Sequence, residues 1–121
     1  NYRWMKEIAD GTAYNNRSDL GNGPNDGPKY KGAGVLMLTG KYNYTRAAAE
    51  LHDPLIVERG CDYTAEQYPF RSALCWLQDN DLLSICLDQG FDACCYKING
   101  GWNGYDDRKE KWEITKKVFG V

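Results

Sequence analysis

The clearest hydrophobic periodicity lies near the end of the chain, where Trp112, Thr115 and Phe119 recur at helical spacing. That helix is expected to start near Asp106 and Asp107, whose carboxylates suit a helix N-terminus. It carries Lys116 and Lys117 in its last turns and closes at Gly120. Upstream, the pattern predicts helices over about 42–51, ended by His52-Asp53-Pro54, and over 64–77. Thr64 is the expected cap of the latter, with Glu66 and Gln67 near its third helical position, and Pro69 predicts a kink or a late start. A short helix is expected over 81–87, capped by Asp79 or Asn80 and stopped by Gly90, and another over 91–98. Residues 1–9 read as a short helix with Trp4, Met5 and Ile8 on one side. The longest apolar run, Val35-Leu36-Met37-Leu38, reads as buried strand or core. Between these, 10–31 is rich in Gly, Asn, Asp and Pro and predicts one long irregular loop, of the kind that is functional or disordered. The sum is a single, mainly α domain over 1–121, with a loop-rich N-terminal third and a short β element.

Charge narrows the partners. The net charge is -2 over 121 residues, with no basic stripe of the kind that binds nucleic acid. No apolar run approaches the roughly 20 residues a membrane span needs. Nine Tyr and four Trp stand against three Phe, a balance that favours side chains with a flat apolar face and a polar handle. Such residues stack on pyranose rings, although most serve equally well as core.

The cysteines point to a compartment. Cys61, Cys75, Cys86, Cys94 and Cys95 all lie in the second half, without a CxxC pair, and His52 is the one histidine, so no zinc site, other metal or cofactor is expected. Their density predicts an oxidising, secreted setting and up to two internal disulfides, with neighbours Cys94 and Cys95 each seeking a distant partner. The odd cysteine is either a buried thiol or the bridge of a disulfide-linked homodimer. The polar, aromatic start Asn1-Tyr2-Arg3-Trp4 carries no leader and reads as a mature chain or as a fragment.

Three stretches, in order, resemble glycoside hydrolase family 19, especially its short bacterial and phage-lysin branch. They are 3–11 with 17–22, then 30–44 (YKGAGVLMLTGKYNY), then 98–108 (INGGWNGYDDR). The second is similar to the family's Tyr-x-Gly-Arg-Gly-x-x-Gln-Leu-Thr/Ser-x-x-x-Asn-Tyr signature and the third to its Ile-Asn-Gly-Gly-x-x-Gly-x-x-Asp-Arg signature. The resemblance implies a lysozyme-like, mainly helical fold with a cleft for β-1,4-linked N-acetylglucosamine polymers, and inverting hydrolysis by a carboxylic acid and a carboxylate base. It implies Glu7 as the base and Thr39 as the residue that positions the attacking water. Tyr42, Asn43 and Asn99 are implied as sugar-facing residues, and Arg108 as an arginine near the cleft. Read without the resemblance, Glu7 is a solvated glutamate, Thr39 a strand-end threonine and Asn99 a turn residue. Arg108 is then a helix-surface arginine paired with Asp106 or Asp107.

The sequence departs from that pattern in three places. The family's acid, a glutamate about nine residues ahead of Glu7, would fall before Asn1. The signature Arg is Ala33 and the signature Gln is Met37, the latter expected as repacked core. General acid–base steps contribute about 10²–10⁴-fold each, so a missing acid predicts impaired catalysis. The first reading is therefore a secreted protein that acts by binding, either to chitin or peptidoglycan oligosaccharides or to a protein target as a toxin or defence factor. The second is an active chitinase or lysozyme in which Asp10 or Asp19 stands in as acid.

Overall fold

The computed structural model describes residues 5–121. It is mainly helical and divides into two compact units, the first ending at Asn80 and the second running Asp81–Val121.

The first unit begins with chain pairing. Lys6 bridges antiparallel to Ala33, and Ala33 bridges antiparallel to Leu38, so Ala33 is the centre of a minimal three-segment β element. The part of the expected first helix at 1–4 lies outside the described residues. From Lys6 to Asp10 the chain is bridge and bend, because the backbone of Glu7 pairs with Gly32 (2.9 Å, N–H to carbonyl) and Gly34 N–H with the Met5 carbonyl (2.7 Å). Pairing with the distant 32–34 segment has claimed the groups a helix would use.

The long polar segment is ordered by its own turns. Thr12–Tyr14 and Ser18–Leu20 are single 3-10 turns, and Asp26–Lys29 is a one-turn helix, α1. Asn22 is buried and joins this segment to the next helix: its amide donates to the Tyr14 carbonyl (2.9 Å) and its oxygen accepts the Lys41 N–H (2.8 Å). Four helices follow: α2 Lys41–Leu51, α3 Leu55–Arg59, α4 Cys61–Gln67 and α5 Arg71–Asp79. α2 packs on α3 and α5, and α3 on α4. His52, in the left-handed region at φ 54°, ends α2 where the sequence pattern places its stop.

Tyr30, Ala33, Leu38, Tyr44, Ala47 and Ile56 belong to the core these helices share. The Tyr44 ring is fully buried and meets Tyr30 edge-on at 5.2 Å. Its hydroxyl donates to the Lys31 carbonyl (2.6 Å) and that of Tyr30 to Val57 (3.0 Å), so neither buried phenol is left unpaired. The helix expected over 64–77 is two helices. Pro69 lies between them, where its ring and missing N–H deny α4 a continuation. Thr64 is not a cap. It sits fully buried inside α4, with its hydroxyl donating to the Gly60 carbonyl (3.0 Å).

Val35–Leu38 is not a buried strand. Residues 34–37 form the turn between the bridged Ala33 and Leu38, and only Leu38 of the run is buried; Val35 and Met37 are each 40% exposed. Gly34 makes the turn possible at φ 75°, and the Val35 N–H reaches the Pro69 carbonyl (2.9 Å), which pins the turn against the α4–α5 junction.

The second unit contains α6 (Leu82–Asn99) and α7 (Tyr105–Phe119). α6 is two helical pieces, because Gly90 at φ 84° and ψ -176° interrupts it. That agrees with the stop expected at Gly90 and the further helix over 91–98. Asp81, rather than Asp79 or Asn80, precedes the first piece, and no side chain caps it. Phe91 of α6 stacks on Trp112 of α7 with ring centres 5.0 Å apart. α7 has Asp106 and Asp107 in its first turn and Lys116 and Lys117 in its last, as its charge pattern predicts. Of its periodic residues Trp112 is half-buried, whereas Thr115 and Phe119 are exposed.

Candidate functional site

Glu7 is held from two sides. Its Oε1 accepts from the Tyr14 hydroxyl (2.9 Å) and its Oε2 from the Gly32 N–H (2.9 Å). Both donors come from segments already fixed by backbone pairing, Tyr14 by its 3-10 turn and Gly32 by the pair with Glu7 itself. The half-buried carboxylate thus has one orientation and keeps a second lone pair on each oxygen. Burial, and then the bond to Glu7, pushes the Tyr14 phenol above its ordinary value, so Tyr14 remains a donor across the physiological range.

Gly32 is small for a reason. A Cβ there would fall 3.1 Å from Glu7 Oε2, 3.1 Å from Met37 Cβ and 3.2 Å from Met37 Sδ. Met37 therefore borders the same spot as the carboxylate. It is not repacked core: it sits at φ 52° in the turn, partly exposed, with its thioether over Gly32. Ala33, by contrast, is fully buried between its two bridges, where only a small side chain fits.

Thr39 leaves the same turn half-buried, its hydroxyl donating to the Met37 carbonyl (2.7 Å), and Asn43 donates from its amide to the Thr39 carbonyl (2.8 Å). The turn, Thr39 and the first turn of α2 are thus tied together. Tyr42 points outward on α2, 57% exposed, with its hydroxyl accepting from Arg46 (3.1 Å) and its ring 5.7 Å from that guanidinium. Glu7, Gly32, Met37, Thr39 and Asn43 form one connected neighbourhood of the first unit, with Tyr42 beside it.

Asn99 and Arg108 belong to the second unit. Asn99 is the exposed last residue of α6. Arg108 pairs with neither Asp106 nor Asp107; it donates to the Asn103 carbonyl (2.9 Å) and braces the glycine-rich turn ahead of α7. On that turn Trp102 is 58% exposed, with Tyr96 and Tyr105 edge-on at 5.2 and 5.1 Å.

The two carboxylates nominated as substitute acids are unsuited to that role. Asp10 accepts from the Thr12 N–H (2.9 Å) and hydroxyl (2.8 Å), which hold its pKa below the ordinary carboxylate value. Asp19 is lowered by its ion pair with Arg17. A general acid needs the opposite shift. Among the described residues, no group of three or more His, Cys, Asp or Glu side chains is placed to hold a metal, and no helix is long and apolar enough to cross a membrane. A cleft of about 390 Å³ lies over α2 and α5 beside Glu50, Arg71 and Cys75, and one of about 530 Å³ beside His52 and Asp53; neither is lined by Glu7, Thr39, Tyr42 or Asn43.

Tyr14, Gly32 and Asn22 were not singled out by the sequence reading. Gly32 lies within the Tyr-x-Gly signature and was legible there, whereas Tyr14 and Asn22 sit in the turn-rich segment with no spacing to mark them.

The first unit thus presents a half-buried carboxylate oriented by two donors, with the half-buried Asn43 and the exposed Tyr42 in the adjoining turn and helix. Over 75 residues, 62% of the chain, it is 36% identical to an endochitinase of Arabidopsis thaliana. The aligned part covers 26% of that relative, so the chain spans about a quarter of its length. No protein-family model matches the chain, and no solved structure matches it. The likeness supports a chitinase-like relationship.

Proposed function

We propose that this chain is a family-19-like, extracellular domain that binds β-1,4-linked amino-sugar polymers, with Glu7 poised as a general base and neither Asp10 nor Asp19 suited to act as its acid. The observation that carries the reading is the fixed Glu7 carboxylate. Two donors orient it and leave lone pairs free to take a proton from water. Thr39 helps to hold that water. Tyr42 and Asn43 are the sugar-contacting residues of the first unit, and Asn99 and Arg108 are the residues of the second unit that the family resemblance assigns to sugar contact. Asp10 and Asp19, held ionised, do not supply the acid. Chitin or peptidoglycan oligosaccharides are the ligands, and the biological role is binding in defence or as a toxin.

Likeness to an endochitinase favours a second reading, an active inverting hydrolase of the same polymers. Glycol chitin turnover, with N-acetylglucosamine oligosaccharide binding by calorimetry on wild type and Glu7→Gln, separates the two. Binding by both proteins without turnover supports the first reading. Turnover lost in Glu7→Gln supports the second. Neither binding nor turnover removes both and leaves a protein target.

A further inference from the structure

Eight residues separate Cys86 from Cys94, and in an unbroken helix that separation is a rise of about 12 Å, beyond any side-chain contact between thiols. Their sulfurs nevertheless lie 2.6 Å apart. The cause is Gly90, midway between them, at φ 84° and ψ -176°. That backbone region is essentially open to glycine alone. It reverses the chain so that the two pieces of α6 bring their cysteines together.

We propose that Cys86 and Cys94 are a disulfide-forming pair that closes across the Gly90 break and staples the two pieces of α6. With a small-molecule disulfide such as oxidised glutathione as acceptor, the Cys86 thiolate attacks one of its sulfurs, releasing one glutathione thiolate and leaving a mixed disulfide. The Cys94 thiolate then attacks the Cys86 sulfur and releases the second. The protein loses two protons and two electrons, and the acceptor's sulfur–sulfur bond becomes two thiols. Burial, and then the contact with Cys86, raises the Cys94 thiol.

The remaining cysteines are thiols in this arrangement. Cys61, Cys75 and Cys95 are each buried, at 6%, 6% and 2% exposure. The Cys61 thiol donates to the Pro28 carbonyl (3.6 Å), and burial, followed by a bond to Glu50, pushes Cys75 up to about 12.

The test is to equilibrate the native chain with oxidised glutathione, alkylate it in denaturant, and cleave ahead of Asp88 and Asp92 to separate Cys86 from Cys94 and Cys95. The expected result is three of the five cysteines alkylated and a cross-linked peptide pair containing Cys86. Cys95→Ser retains the cross-link, whereas Cys86→Ser and Cys94→Ser each lose it. Gly90→Ala, where a Cβ meets nothing within 4 Å, also loses it through the backbone alone. Five alkylated cysteines in wild type overturn the proposal. So does a cross-link that survives Cys94→Ser but not Cys95→Ser.

Discussion

Gly34→Ala is the sharpest structural perturbation of the segment that holds Glu7. At φ 75° the backbone is in the left-handed region, and a Cβ there would fall 2.5 Å from Ser72 Oγ and 2.7 Å from the Pro69 carbonyl oxygen. Neither neighbour can retreat easily, since Ser72 is fully buried and the Pro69 carbonyl is bonded to the Val35 N–H. The left-handed conformation costs about 1–2 kcal/mol, the overpacking about 1–3, and a weakened Val35–Pro69 bond about 1. The variant should therefore lose about 3–6 kcal/mol, which at a urea m-value of about 2 kcal/mol/M lowers the unfolding midpoint by about 1.5–3 M. Ser72 provides an internal control. Its hydroxyl is buried without a partner, so Ser72→Ala alone is neutral or stabilising. In the double variant the closest clash is gone, and about 1–2 kcal/mol of the loss should return. Urea unfolding followed by far-ultraviolet circular dichroism measures all four proteins. A Gly34→Ala midpoint within 0.3 M or so of wild type, or strict additivity in the double variant, refutes the packing assigned to this turn.

Other consequences are as direct. Asn22→Leu strands the Lys41 N–H and takes one of two donors from the Tyr14 carbonyl, which keeps the Arg17 N–H (3.4 Å), and should cost about 1–3 kcal/mol in the same assay; a loss below about 0.5 kcal/mol contradicts the bridging role. Asp53 accepts from the Tyr63 and Tyr68 hydroxyls (2.8 Å each), and Asp79 pairs with Arg46; both carboxylates are lowered from the ordinary value of 3.8. Since the unfolded chain binds those protons more readily, the stability they contribute is present above about pH 4 and lost as pH falls through their folded values. Thermal melts of wild type against Asp53→Asn should differ less at pH 3 than at pH 6, and an unchanged difference contradicts that linkage.

The helices were the legible part of this chain. His52-Asp53-Pro54, Pro69, Gly90 and Gly120 mark breaks that local chemistry imposes whatever surrounds them, and the structure has its helix boundaries near each. What failed depended on distant partners. Thr64 has the composition of a cap, but the glycine that precedes α4 is four residues earlier and the Thr64 hydroxyl turns back to it. Val35–Leu38 reads as core by hydropathy, yet Gly34 and Met37 adopt positive φ and turn the run outward. The Lys6–Ala33 bridge that keeps 6–10 out of a helix spans residues far apart in sequence, beyond the reach of any periodicity. Glu7, Thr39 and Asn43 are nominated by motif resemblance, and the structure ties them into one neighbourhood. Tyr14 was invisible because the loop that delivers it has no regular pattern.

A glycosyl fluoride tests the central claim most directly, because fluoride departs without being protonated and leaves only the base to be supplied. If Glu7 is a positioned base and neither Asp10 nor Asp19 serves as its acid, the chain releases fluoride from β-chitobiosyl fluoride but not aglycone from unactivated chitin oligomers. In Glu7→Gln fluoride release should fall by about 10²–10⁴-fold with oligosaccharide affinity retained. Fluoride release by Glu7→Gln at the wild-type rate contradicts the account.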